Sequence, residues 1–456
     1  MHSNVPVCSA RLVFVILLLL RAEVAAADWP QWRGARGDGV SDERGLPAAW
    51  SVSGPSEKGS KAAESGPSGI AWVCPLPEWG ASTPAVIGDA LFVTSHAGRD
   101  LLLVRVDAKT GSVAWVRKVA EGEAARMELR LKSVEERRGQ KFHRDHNLAS
   151  PSPVTDGERV IVHFGEGTLA SYRLDGELEW KRNLQEDHGG YTIWWGHANS
   201  PVIHGDLVVS VCLQDSLGDF QEKLSPSYIV AHDKRTGKER WKTERMTGAT
   251  SEPCDAYTTP ILVESTGGVD LVVLGGGWLD AYEPGTGARK WRLTGLGGNR
   301  TITGPVAAGG VIYATVGMRG PLLAVRPEGR GDLDRSKVVA WQHEKGTPDS
   351  PCPVVAVGLV FIVSDNGVAR CLDAATGAER WSERLGGEHR ASPVAGDGKV
   401  YFTSVEGRTT VVEASAQLSR LGEGSVDDTV VASPAVSGGR IFVRGRKAIY
   451  CAAAAH

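Results

Sequence analysis

The chain has 456 residues and a formal net charge of −3, with acidic and basic side chains interspersed. No basic face is present to neutralise a phosphate backbone, which speaks against nucleic acid as a partner. The 56 glycines and 14 tryptophans point to many short strands joined by tight turns, with Trp at regular places.

Residues 1–27 read as an export signal. Arg11 precedes the apolar run Leu12–Leu20, and Ala25-Ala26-Ala27 offers a small-residue cleavage site before Asp28. That run is too short for a mature transmembrane helix, and no later segment is apolar enough to span a bilayer. The expectation is an exported protein, periplasmic or extracellular, with no transmembrane segment after cleavage; an uncleaved anchor is the alternative. Export permits disulfides among Cys74, Cys212, Cys254, Cys352, Cys371 and Cys451. Their spacing selects no pairing and contains no C-x-x-C zinc motif; buried thiols and one or two bridges both fit.

Residues 28–68 read as an N-terminal extension, of which 51–68, rich in Ser, Gly, Lys and Glu, has the composition of a linker. From residue 69 one pattern recurs. A Ser/Thr-Pro pair opens an alternating apolar run; two further runs follow, the second ending in Asp; then come a Thr-Gly turn and a Trp four residues after the Gly. The openings are Thr83-Pro84, Ser152-Pro153, Ser200-Pro201, Thr259-Pro260, Gly304-Pro305, Ser350-Pro351, Ser392-Pro393 and Ser433-Pro434. The closing tryptophans are Trp115, Trp180, Trp241, Trp291, Trp341 and Trp381, with Leu418 standing where the seventh unit should have one. Each unit predicts four strands, in the first near Pro84–Ile87, Leu91–Ser95, Leu101–Val106 and Val113–Val116. Asp107, Asp233 and Asp373 can accept backbone N–H groups within their turns, and the glycine supplies positive φ. A charged insertion, residues 121–147, separates the first two units; its stretch Glu123–Arg138 has the composition of a short surface helix.

The last opening is followed by only three strands. The missing one is available at the other end of the repeat region, Gly69-Ile70-Ala71-Trp72-Val73, with Trp72 in the closing position. The predicted fold is therefore all-β: an eight-bladed β-propeller of four-stranded antiparallel blades over residues 69–456, its ring closed by an N-terminal strand so that no sheet edge is left open. A row of β-sandwich domains would not explain the orphan strand.

The segment Ala231–Trp241 matches the pattern A-x-D-x-x-T-G-x-x-x-W in full, and Asp107–Trp115 and Asp373–Trp381 match its core. On these motifs the chain resembles the pyrroloquinoline-quinone-like (PQQ-like) repeat propellers over about residues 69–454. Its stretch Asp28-Trp29-Pro30-Gln31-Trp32-Arg33-Gly34 looks like the mature start of exported members from planctomycete-type bacteria. WD and kelch repeats do not fit, since neither their Gly-His and Trp-Asp pairs nor a fixed glycine doublet recurs. The resemblance extends to two kinds of relative: the propeller lipoprotein of outer-membrane assembly, and quinone-dependent dehydrogenases with calcium, an adjacent cysteine pair and a catalytic Asp. No two cysteines are adjacent here and no residue matches those catalytic positions, so no cofactor is expected. PQQ with calcium, in an alcohol or sugar dehydrogenase, is the alternative.

In a propeller, the loops running from the outer strand of one unit to the inner strand of the next converge on one mouth of the channel. Here they carry Asp145, His146 and Asn147; His188, Tyr191, Trp194, Trp195, His197 and Asn199; Glu252, Asp255 and Tyr257; Asn299, Arg300 and Thr301; Asp349; Glu388, His389 and Arg390; Asp427 and Asp428. Loops on a rigid scaffold commonly carry function. The candidate ligand-binding residues are His146, Asn147, Tyr191, Trp194, Trp195, His197, Asn199, Asp255, Tyr257, Arg300, His389 and Arg390, with no metal site assigned. Tyr191–Asn199 stands out, since Trp beside His and Asn can stack on and hydrogen-bond a ligand. The expected role is a non-catalytic binding or scaffold propeller that engages an envelope or extracellular protein, peptide or glycan at this mouth.

Overall fold

The computed structural model describes residues 28–52, 68–123, 125–126, 141–214, 226–249, 252–317 and 320–454. The export signal, most of the linker and most of the expected helix Glu123–Arg138 lie outside the described residues; within that stretch Ala125–Arg126 form a short strand, parallel to Lys141–Phe142, instead of a helix.

The described chain is a β-propeller. Eight sheets of four or more strands follow one another, each a meander in which successive strands pair antiparallel. The first comprises Ala85–Ile87, Ala90–Ala97, Asp100–Asp107 and Val113–Glu121. The second runs from Val154–Thr155 to Leu178–Asn183 and the third from Val202–His204 to Glu239–Arg245. The fourth and fifth span Ile261–Leu293 and Val306–His343, and the fourth gains Gly331–Asp332 as a fifth strand, parallel to Arg289–Leu293. The sixth runs from Val354–Ala356 to Glu379–Arg384, the seventh from Val394–Gly396 to Arg420–Ser425. In the last sheet, Ala435–Ser437, Arg440–Arg444 and Ala448–Ala453 are joined by Ile70–Pro75, which pairs antiparallel with Ala448–Ala453.

Tryptophans lock six of the sheets to the next. The indole N–H groups of Trp72, Trp115, Trp180, Trp241, Trp341 and Trp381 donate to the carbonyls of Ala108, Leu174, Lys234, Pro284, Ala374 and Ser415, all at 2.9–3.1 Å and all in the turn of the following sheet. The glycine of that turn lies under the ring: a Cβ on Gly111, Gly237 or Gly377 would sit 2.6–2.7 Å from Trp72, Trp180 or Trp341. Thr-Gly is thus demanded twice, by positive φ and by the approach of the indole. Trp291 departs from the rule, donating instead to Asp270 within its own sheet at 2.9 Å. In the seventh sheet the Trp register is held by Gly422, opposite Val411 as Trp381 is opposite Cys371, and not by Leu418. Trp50, from the N-terminal segment, packs there instead; a Cβ on Gly424 would lie 2.0 Å from its ring.

The Ser/Thr-Pro openings line the channel as a hydrogen-bonded belt. The backbone N–H of Thr83 donates to Ser152 Oγ, that of Ser152 to Ser200 Oγ and that of Ser200 to Thr259 Oγ1, at 2.9–3.1 Å. The belt resumes with Gly304 to Cys352 Sγ, Cys352 to Ser392 Oγ and Ser392 to Ser433 Oγ, and Thr83 Oγ1 donates back to the Ser433 carbonyl. The sixth opening is therefore Cys352-Pro353 rather than Ser350-Pro351: the strand begins after Pro353, and a thiol takes the place of the hydroxyl.

Residues 28–52 lie across the end of the channel formed by the inner hairpin turns. Trp29 exchanges backbone bonds with Val86, Thr155 N–H donates to Pro30, and Val40–Ser41 and Trp50–Ser51 add parallel to the two edges of the seventh sheet. Arg33, buried and at φ 65°, donates to the carbonyls of Asp38, Pro353 and Pro393. Trp32 projects into the channel over Gly304, where the belt lacks a side chain. The six cysteines among the described residues are all buried free thiols. No helix among the described residues is long and apolar enough to cross a membrane.

Candidate binding site at the channel mouth

The interblade loops enclose a cavity of about 380 Å³ at the channel mouth, with the hydroxyl belt as its wall and Trp32 reaching it from the opposite end. Of the sequence candidates, His146, Trp195, Tyr257, Arg300 and Arg390 line it, together with His143, Asp145 and Asp349.

Trp195 is half-buried and held from several sides. Its backbone N–H donates to Tyr257 Oη at 3.2 Å and its indole N–H to Glu252 at 3.2 Å. The His143 ring meets it edge-on at 5.5 Å, and the Arg300 guanidinium lies 5.9 Å from its centroid. The adjacent Trp194 N–H donates to the buried Asp255 carboxylate at 2.7 Å, fixing the loop to the next interblade segment.

Around the rim runs a chain of alternating charges. Arg300 binds Glu252 and Asp349, each at 3.1 Å. Asp349 N–H donates to Asp365, which accepts from Arg390 at 2.8 Å. Arg390 also pairs with Glu388 and lies 3.7 Å from Asp145, which Arg446 reaches at 3.3 Å. Burial raises the Asp349 carboxyl above its ordinary range, opposed by Arg300. Burial likewise lowers His143, and lowers His146 to about 4, so the cavity imidazoles are neutral near pH 7.

The remaining candidates are structural in their contacts. Tyr191 and His197 are buried and stacked at 4.9 Å, and His163 bridges them, 3.2 Å from each. Asn199 donates to the carbonyls of Ala256 and Thr258, and Asn147 to that of Trp79, tying loops of neighbouring sheets. His389 is buried beside its own loop, its backbone N–H on Asp365. Asp428 caps the turn at Lys447 and Ala448. The loops do converge, but one side of each faces a neighbouring sheet, and sequence alone does not say which residue faces where.

Sequence reasoning overlooked His143, Asp365, Arg446 and Trp32. The first falls within the charged insertion, and the next two lie in strand-connecting turns away from the openings. Trp32 carried a signal: it sits in a Gly-rich segment whose glycines 34 and 39 leave room only for Trp29 and Arg33.

The family described as "Outer membrane protein assembly factor BamB" matches residues 62–222 and 328–420, more than half of the chain. Among solved structures, BamB from Moraxella catarrhalis is similar at 14% identity and a TM-score of 0.56, covering 85% of this chain and 98% of its own. Quinohemoprotein alcohol dehydrogenase from Comamonas testosteroni is similar at 14% identity and 0.66, covering 94% and 81%. A europium-containing methanol dehydrogenase is similar at 10% and 0.58, covering 92% and 90%. No curated protein matches the chain in sequence. Identities this low speak for the fold; the family match, together with the repeat, places the chain in a family, and it belongs to the PQQ-repeat propellers described as outer membrane protein assembly factor BamB.

Proposed function

We propose that this protein is an exported, non-catalytic propeller whose eight sheets form one ring closed by Ile70–Pro75, and that it binds a protein or peptide segment at the channel mouth. The reading rests on one observation: the mouth presents a half-buried Trp195 amid an ion-pair chain in which every arginine is already matched by carboxylates. Such a surface offers donors and acceptors of both signs around an aromatic anchor, which suits a polypeptide of mixed polarity. Likeness to an assembly factor points the same way. The periplasm or the cell exterior is where such relatives and the leading segment 1–27 would put it.

The dehydrogenase-like neighbours raise a second reading, a bound quinone. PQQ is a planar tricarboxylate and calls for uncommitted cations. Arg300 and Arg390 are each held by at least two carboxylates, and the thiols are separate and buried. These residues do not fit that group, and no catalytic role is derived from it.

The test is a pair of titrations. A peptide array and a glycan array are probed with the protein, and hits are titrated against the wild type and Trp195→Ala. A peptide bound by the former and lost by the latter is expected. Glycan hits alone, or peptide binding indifferent to Trp195, would overturn the proposal. So would calcium-dependent PQQ binding with dye reduction on adding an alcohol.

A further inference from the structure

We propose that His188, His232 and Glu239 form a divalent transition-metal site, suited to Zn²⁺, that clips the segment trailing the second sheet to the third sheet. The three residues come from two places in the fold. His188 ends the short helix Leu184–His188, which follows the last strand of the second sheet. His232 and Glu239 face each other across strands Ser227–Asp233 and Glu239–Arg245, just past the bulge at Ala231. Directly opposed residues of antiparallel strands carry side chains on one face. One donor atom from each residue lies within 4.8 Å of the others, with His188 Nε2 3.5 Å from Glu239 Oε2.

A second observation is independent of that clustering. His232 is 0% exposed, and neither of its ring nitrogens has a hydrogen-bond partner; His188 Nε2 is likewise buried without one. A buried imidazole with no partner is costly, and native structures rarely leave one so. The repeat sharpens the point. The residue after the bulge is Val106, Tyr172, Tyr282, Val325, Leu372 and Val412 in the other sheets that have this bulge. His232 replaces an aliphatic or tyrosine side chain at a position that otherwise serves packing.

The donor set fixes the metal class. Two neutral imidazoles and a carboxylate bind Zn²⁺ well, and the half-open side at Glu239 leaves a fourth position for water. At zinc–ligand distances of about 2.1 Å, tetrahedral donors stand about 3.4 Å apart. Closure therefore asks for a shift of at most about 1.4 Å, within reach of side-chain rotation. Lys242 and Arg182 lie close enough to oppose a cation, while Asp187 and Glu239 favour one. Arg182 is itself held by Asp187 at 2.8 Å. The charges near the site thus balance before metal arrives.

The experiment uses the full chain after chelator treatment, titrated with ZnCl2 by calorimetry, with Co²⁺ absorption reporting coordination. The expected result is one Zn²⁺ per chain, a tetrahedral Co²⁺ spectrum, and a rise in Tm on adding zinc. All three are expected to be lost in His232→Leu, which restores the side chain used in the sixth sheet, and in His188→Ala. Should His232→Leu fail to fold, His188→Ala decides alone, because its side chain sits on a helix end outside the sheet. No zinc bound by the wild type, or zinc bound as tightly by His188→Ala, would overturn the site.

Discussion

Trp72 donates its indole N–H to the carbonyl of Ala108 at 3.1 Å, the same bond that Trp381 makes to Ser415 three hundred residues further along. Yet Trp72 belongs to a sheet whose other strands are the last of the described chain. One interblade bond therefore also joins the two ends of the repeat region. Trp72→Ala removes a large ring and one of the two donors to the Ala108 carbonyl, leaving it only Arg440 at 2.8 Å. We expect a loss of about 3–5 kcal/mol, the usual range for aromatic truncation in a packed site. Trp341→Ala should cost a similar amount. Urea midpoints compare them, and a near-neutral Trp72→Ala would show that the closing strand carries little of the stability.

The turn glycines allow a matched pair. Gly377 and Gly358 share φ of +74°, so alanine strains the backbone alike at both. A Cβ at Gly377 would lie 2.7 Å from the Trp341 ring, whereas nothing lies within 4 Å at Gly358. Gly377→Ala should be the more destabilising by about 1–3 kcal/mol, the cost of overpacking alone. Equal losses in denaturant titrations would mean that the indole does not constrain the turn.

The all-β propeller was legible because such a fold repeats its period, and each copy of Asp-x-x-Thr-Gly-x-x-x-Trp reinforces the pattern. Departures from the repeat were harder. Gly422 was not recognisable as the Trp position because the residues that pack on this strand, Ala48 against Gly422 and Trp50 against Gly424, come from a segment read as an extension. Cys352 was missed because Ser350-Pro351 stood two residues earlier, although Ser-Pro-Cys-Pro-Val at 350–354 parallels Ser-Pro-Ser-Pro-Val at 150–154. At the mouth, polarity marked loops that line the cavity. It did not separate Trp195, on the cavity, from Tyr191 and His197, which pack between sheets. Side-chain direction in an irregular loop has no periodicity to read.

The N-terminal segment seals the channel floor through tight contacts that one methyl group would disturb. Gly39 has φ +79°, and a Cβ there would meet the Arg33 guanidinium at 2.4 Å. Gly39→Ala should displace Arg33 from the Pro353 and Pro393 carbonyls and loosen residues 28–52. Limited trypsinolysis is expected to cut at Arg36 or Arg44 faster than in the wild type while the repeat region stays intact. An unchanged digestion pattern would show the segment anchored elsewhere.

Acid should destabilise the fold through its buried histidines. His163 and His146 are lowered by burial to about 3 and about 4, and His197, stacked beside His163, is also well below its ordinary value. Above pH 6.5 each is neutral folded or unfolded, so none affects stability there. As pH falls below 6.5 the unfolded chain takes up protons that the folded chain refuses, and stability declines until the folded-state values near 3–4 are reached. Each such histidine contributes a slope of about 1.4 kcal/mol per pH unit within that window. Stability measured from pH 7 to 4.5 should fall steeply, and His163→Phe should flatten the slope by about one proton's worth even though it lowers stability at pH 7. A slope unchanged by that substitution would place the titrating groups elsewhere.

Binding and folding are carried by different residues of one loop. Trp195 is half-buried on the cavity, whereas Tyr191, four residues earlier, is fully buried with its hydroxyl 3.2 Å from His163. Trp195→Ala should weaken a captured peptide by about 2 kcal/mol or more, as central aromatic anchors do, with little change in Tm. Tyr191→Phe should leave affinity almost unchanged. It strips His163 of a partner in a dry site and should cost about 1–3 kcal/mol of stability. Paired calorimetry and thermal melts on the two variants read both quantities. If Tyr191→Phe weakened binding at unchanged stability, the recognition surface would have to extend from the cavity into the interface between the second and third sheets.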